Sequence, residues 1–203
     1  MVSSAGKYII KGEPLKLSLR EGERAEVLFY LLPGEDVSVN VEADLLGEGA
    51  ELNIRGIYLC DGADKVSVRT EVRHLVPGTK SSQLVCGAAG GDSRASFYGL
   101  VVVAEDACRT EALQTNRNIL LSDRARIETR PQLEIYADDV QCSHGATVGR
   151  LSEDELFYMR SRGIPEEEAR TLQILSFLAP ALEGIPDKEA ILEKVEDKLR
   201  KMA

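Results

Sequence analysis

The chain has 203 residues, 43% of them apolar and 29% charged, enough for one domain with a substantial core, since domains usually run about 100–200 residues. A formal net charge of −9 argues against a broadly basic nucleic-acid binder, because phosphate backbones are gripped by Lys and Arg displacing counterions. No stretch approaches the roughly 18 consecutive apolar residues of a membrane span, and the start, Met1 to Lys7, lacks the apolar core of a secretory signal.

The expected compartment is therefore the cytoplasm. Aromatic residues are scarce and Trp is absent, so the core must be built from Val, Leu, Ile and Ala. That suits stacked layers of small branched side chains. The four cysteines, Cys60, Cys86, Cys108 and Cys142, form no C-x-x-C pair, which gives no basis for a structural zinc site. In a reducing compartment they are free thiols, and Cys60, Cys86 and Cys108 read as small buried hydrophobes.

From Leu15 to Gly149 runs of alternating apolar and polar residues end in turn residues, among them Pro33-Gly34, Asp61-Gly62, Pro77-Gly78, Gly90-Gly91-Asp92 and Asp138-Asp139. This is the pattern of strands and turns. The turns recur at about 15 residues, a shorter period than most helical repeat arrays have. In Lys65–Val72 the valines share one face and the charges the other. A sandwich, a jelly roll or a coiled solenoid all satisfy such alternation. Even spacing and few aromatics favour the solenoid, whose uncovered end is open to pairing with another chain.

After Gly149 the pattern becomes helical. Ser152-Glu153-Asp154-Glu155 has the form of a capping box that starts a helix running to about Ser161, and Gly163 stops it. Pro165, followed by Glu166, Glu167 and Glu168, starts a second helix with Ala169, Leu172, Leu175 and Ala179 as its apolar stripe, ending near Pro180. A third follows Pro186-Asp187, with Ile191, Val195, Leu199 and Met202 on one face. The zones divide as 1–150, mainly β, and 151–203, helical.

Common catalytic motifs are missing. Gly87-Ala88-Ala89-Gly90-Gly91 lacks the Lys-Ser/Thr of a phosphate loop and reads as a turn, and there is no Gly-x-Ser-x-Gly, His-Glu-x-x-His or calcium loop. Of the two histidines, His74 ends a strand and reads as an ordinary polar strand residue. His144 lies two residues after Cys142, which on a strand puts a thiol and an imidazole on one face. Both are good ligands for iron, zinc or copper, and the pair is also the raw material of a nucleophile. Two ligands leave a coordination sphere incomplete.

The stretch Gln114–Asp123, continuing through Thr129–Val140, Cys142–Gly149 and Glu153–Ile164, resembles the core of the SufB/SufD family of iron–sulfur cluster assembly proteins. The resemblance implies a right-handed parallel β-helix followed by a small helical domain. It implies a scaffold without turnover of its own, holding no tight cofactor in isolation and sharing a transient iron–sulfur cluster within a complex. The partners implied are a SufB-like subunit, or a second copy of the chain, at the β-helix edge and a SufC-type ABC ATPase at the C-terminal helices. Leu156, Phe157, Tyr158, Arg160 and Arg162 are the candidate ATPase contacts.

Within that family the chain is closer to the SufD type. SufB-like chains carry Glu directly after the histidine and a Cys near the position of Arg117, where this chain has Gly145 and Arg117. The implied cluster donor is then His144, with Cys142 as an accessory. Typical members carry a large, mostly helical N-terminal region ahead of the β-helix, whereas here strand-like runs begin almost at once. The alternatives are a structural homodimer with a decayed site and a Cys/His metalloenzyme on a β-barrel.

Overall fold

A computed structural model describes residues 2–3, 6–10, 12–34, 36–185 and 187–202. The strands are β1 (Val2–Ser3), β2 (Gly6–Ile10), β3 (Leu15–Leu19), β4 (Arg24–Leu31), β5 (Val37–Leu45), β6 (Glu51–Cys60), β7 (Lys65–His74), β8 (Lys80–Ala89), β9 (Arg94–Val103), β10 (Glu111–Leu120), β11 (Arg126–Ile135) and β12 (Gln141–Arg150). Three α-helices follow: α1 (Glu153–Ser161), α2 (Glu166–Leu178), extended by a 3-10 turn at Ala179–Leu182, and α3 (Lys188–Met202). Pro186, expected to precede the third helix, lies outside the described residues.

Consecutive strands alternate between two parallel sheets, ordered β1-β3-β5-β7-β9-β11 and β12-β10-β8-β6-β4-β2. Two strands and their turns make one coil, and the whole is a β-solenoid of about 5 turns. Side chains bonded between successive coils lie 27 residues apart for Arg24 and Glu51, and 32 apart for Arg124 and Asp92. The turn spacing seen in the sequence is therefore half a coil.

Alternation decides which residues enter the lumen. In β7, Val66, Val68, Thr70 and Val72 point inward while Lys65, Ser67 and Arg69 are exposed. The stacked inward residues form one continuous apolar core from Ile10 to Ala125. Rings are fitted by glycines in the next coil: a Cβ on Gly56 would lie 2.1 Å from the Phe29 ring, and one on Gly87 1.9 Å from Tyr58. Because Gly87 leaves that space, the Tyr58 hydroxyl reaches past it and donates to Asn118 Oδ1 at 2.5 Å.

The strand ends at Gly56–Cys60 and Val85–Ala89 are buried on both faces, which is why they read as unbroken small and apolar runs. Their outward residues Ile57, Leu59, Cys86 and Ala88 pack under the helical segment, against Ile174, Leu178, Leu182, Ile191, Val195 and Leu199. Lys198 pins α3 to the solenoid through the Pro33 carbonyl and Asp64. Arg55 bonds the Glu183 carbonyl.

Several local expectations need correction. Gly87–Ala89 belongs to β8, and only Gly90-Gly91 turns, with Gly91 at φ +56°. The buried face of α2 is Ala169, Gln173, Ile174 and Leu178, one step round from the expected stripe, leaving Leu172 exposed. Ser152 caps α1 by accepting from the Glu155 N–H at 3.3 Å, but the Glu155 carboxylate accepts from Gln173 instead of returning to the cap. Cys108 is half-buried in a turn, while Cys60 and Cys86 are core.

His74 is not a surface strand residue. It points into the lumen, fully buried, with Nδ1 2.8 Å from Thr79 Oγ1 and Nε2 2.8 Å from Ser81 Oγ. Burial lowers its pKa from 6.5 to about 4. The unfolded chain takes up this proton first as the pH falls, so the contribution of neutral His74 to stability is intact above about pH 6.5 and is lost progressively toward pH 4. Between pH 7 and 4.5 this group alone is expected to remove roughly 2–3 kcal/mol. Urea unfolding of wild type and His74→Gln at both pH values checks this, and identical pH dependence in the two proteins would refute it.

Candidate functional site

β11 and β12 form the last coil, each 10 residues long and each hydrogen-bonded to a neighbour on one side only. The alternation of β10 continues into β12: Ala112 is in register with Cys142, Gln114 with His144, Asn116 with Ala146 and Asn118 with Val148. In β10 these inward residues are buried, whereas in β12 His144, Ala146 and Val148 are exposed because no coil covers them. The last coil therefore presents core-type positions to solvent. Val148 is 42% exposed, and Ile135 and Tyr136 stand open at the end of β11.

The expected thiol and imidazole are thus on one face, at the open mouth of the solenoid. Cys142 is half-buried, packed against the small apolar cluster that holds Val101, Val103 and Ala112. Burial pushes its thiol up from the ordinary value, against a smaller opposing effect from the Ala112 backbone. Thiolate is the form that ligates metal or attacks an electrophile, and burial disfavours it at Cys142. Among the described residues no cluster of three or more His, Cys, Asp or Glu side chains can hold a metal ion. His144 and Cys142 are an incomplete donor set.

Arg117 and Gly145 lie on the other face. β10 is in register with β12 at Thr115 and Gly145, and at Arg117 and Thr147, and these positions alternate with the inward ones. A Cβ on Gly145 would meet nothing within 4 Å. Arg117 and Gly145 are therefore on the sheet's outer face, opposite the one that carries His144.

Sequence reasoning missed the polar lining beneath the mouth. The inward column that passes through His144 runs Val27, Ile54, Gln83, Gln114, His144 from coil to coil, changing from apolar to amide to imidazole. Beside it Asn116 donates to the Val85 carbonyl, and Asn118 to Asn116 Oδ1 and the Thr147 carbonyl. Gln83 Oε1 accepts from Thr70 at 2.8 Å. The signal was present as Gln83, Gln114, Asn116 and Asn118 falling in the apolar phase of otherwise alternating strands.

On α1 the candidate ATPase contacts divide. Leu156 is 3% exposed and anchors the helix, so it cannot meet a partner, while Phe157 and Tyr158 are 73% and 60% exposed. Arg162 stacks over the Tyr158 ring, 5.3 Å from its centroid, and Arg160 pairs with Glu166 at 3.3 Å.

Residues 13–177 match the family described as "SUF system FeS cluster assembly, SufBD core domain". The chain is 37% identical to the iron–sulfur cluster assembly protein SufD of Escherichia coli over 186 residues, 90% of this chain and 44% of that protein. It is 31% identical to SufD of Bacillus subtilis over 170 residues, 82% of this chain and 39% of that one. A SufBD family protein of Synechocystis is 50% identical over 94 residues, 46% of this chain and 21% of the relative. The chain spans less than half the length of these relatives.

The raised thiol predicts that alkylation of Cys142 by iodoacetamide at pH 7.5, followed by peptide mass spectrometry, is slower than that of free cysteine. Its rate should rise with pH along a curve displaced above that of an unhindered thiol. Rapid modification at neutral pH would show a thiolate there and overturn the raised thiol.

Proposed function

Because the chain belongs to the SufBD family of the SUF iron–sulfur cluster assembly system, we propose that it is a SufD-type scaffold subunit whose open last coil pairs with a SufB-type subunit. The observation that carries this reading is the uncovered β11–β12 edge bearing an incomplete donor set. Strands that end a sheet offer a row of free N–H and C=O groups to another chain. An imidazole with one thiol needs further ligands, and a second subunit docked on the same edge supplies them.

In this reading His144 donates to the forming cluster, which is cargo and not a resident cofactor. Cys142 is an accessory donor that joins when a nearby cation or metal draws off its proton. No transfer of electrons is assigned to the chain. Val148, Ala146 and the β11 terminus supply apolar area that pairing removes from water, at about 25 cal/mol per Å².

The exposed Phe157 and Tyr158, with Arg160 and Arg162, support α1 as the contact for a SufC-type ATPase. The helical segment packs across the outward faces of β6 and β8, so a partner that moves α1 pulls on the same body that carries the edge. Nucleotide hydrolysis by that partner would then separate the paired edges and expose the cluster. Among the described residues no helix is long and apolar enough to cross a membrane.

Two substitutions test this. Val148→Asp places a charge where the edge must be dehydrated and is expected to weaken pairing by at least about 10-fold, a cost of about 1.4 kcal/mol or more, seen by size-exclusion with light scattering on the co-expressed subunits. His144→Ala is expected to leave pairing intact and to lower the iron and sulfide carried by the complex. Undiminished cluster content in that variant would sink the assigned role, and a stable pair between the Val148→Asp chain and the co-expressed subunit would move the interface elsewhere.

A further inference from the structure

Among the described residues, six buried side-chain atoms have no hydrogen-bond partner, and four of them belong to Gln83, Gln114 and Thr129 near the mouth of the solenoid. Gln114 is the extreme case. It is 0% exposed, and both Nε2 and Oε1 are unpartnered. Its neighbours Asn116 and Asn118 are fully engaged, so the defect is confined to the layer of Gln83, Gln114 and Thr129 and is greatest at Gln114. A buried amide with nothing to bond is destabilising because its lost hydration is not replaced, and such a group calls for an explanation.

Register supplies one. Gln114 and His144 are paired residues on adjacent strands with side chains on the same face, and in-register strands are about 4.8 Å apart, within reach of a side-chain hydrogen bond. The Gln114 amide extends across the lumen to the space left by Gly99, where a Cβ would lie 2.4 Å from Nε2. Gly99 is in register with Pro131 in the last coil. The layer above the amide is therefore the coil that carries Pro131 and His144, and this coil seals Gln114 from solvent.

We propose that Gln114 is the positioning residue for His144: its Oε1 accepts a hydrogen bond from one ring N–H and leaves the other ring nitrogen bare and aimed at the open edge. The proposal rests on the reading of His144 as a cluster donor and adds how its tautomer is chosen. An imidazole ligates through an unprotonated nitrogen, and a metal-bound histidine characteristically gives its other N–H to an acceptor behind it. An amide oxygen has two acceptor sites. Oε1 can take the His144 proton together with one from Gln83 Nε2, which is also unpartnered, and Gln83 is already oriented by Thr70. A column of amides then fixes the ring from below.

The chain has two histidines, so uniform ¹⁵N-histidine labelling of this 203-residue chain gives two imidazoles. His74 is held by Thr79 and Ser81 and serves as an internal control of folding. The wild-type His144 ring is expected to show one protonated and one bare nitrogen in a single tautomer. In Gln114→Leu, which keeps the volume and removes the acceptor, the two tautomers should interconvert, and in Gln114→Glu a single tautomer should return. If the leucine variant loses the His74 signals, Gln114→Asn, one methylene too short, carries the same expectation.

Iron retention by the complex reconstituted with its partner subunits should fall about 10–100-fold in Gln114→Leu. A His144 tautomer ratio unchanged by Gln114→Leu overturns the proposal. If His144→Ala depletes iron while Gln114→Leu changes neither reading, the donor role stands and the positioning role falls. If His144→Ala leaves iron untouched, the donor role fails and takes the positioning role with it.

Discussion

Every strand of a parallel solenoid depends on hydrogen bonds to the coil above and the coil below, and the last coil of this chain has only one of the two. β11 and β12 are among the longest strands, 10 residues each, while the opposite end is made of β1 and β2, with 2 and 5 residues. Short terminal strands blunt an edge, and long regular ones advertise it. The asymmetry gives the molecule a direction. One end offers two full-length strands with inward residues left open, and the chemistry-bearing residues Cys142 and His144 are on that end.

The interior follows the same direction. Lower coils are filled with Val, Leu and Ile, stacked so that a ring in one coil occupies the glycine of the next. Toward the mouth the lining becomes amide and hydroxyl, through Thr70, Gln83, Gln114, Asn116 and Asn118. Buried polar groups add little net stability and are costly when unpaired, so hydrophobic burial alone does not account for a graded polar lining. It does suit a coil whose outer neighbour is supplied by another molecule, because polar side chains one layer down are placed to bond whatever the open coil holds.

The sequence disclosed the solenoid because its period is set by backbone geometry: inward and outward residues alternate in each strand, and turns close each half coil. It disclosed the pairing of Cys142 with His144 for the same reason, since two-residue spacing on a strand is a statement about faces. Three things were not legible. The phase of α2 was displaced because Gln173, polar by composition, is buried by bonds to the Ser152 carbonyl and Glu155. Leu156 was grouped with Phe157 and Tyr158 because local sequence does not say which side of a short helix packs inward, against α2. His74 and Gln114 were passed over because a polar residue in the apolar phase reads as a break in the pattern, and only long-range register shows which partners it meets.

An incomplete donor set on an unpaired edge ties two equilibria together. If further ligands come from the chain that pairs with β11 and β12, then a bound cluster stabilises pairing by the same factor by which pairing stabilises the cluster, since coupling between two binding events is reciprocal. A site with all its ligands on one chain would hold its cargo whether or not the subunits were together. Dividing the ligands would make release follow from separation of the strands. The raised thiol of Cys142 acts in the same sense, because burial disfavours the thiolate that a lone edge would need to hold a metal by itself.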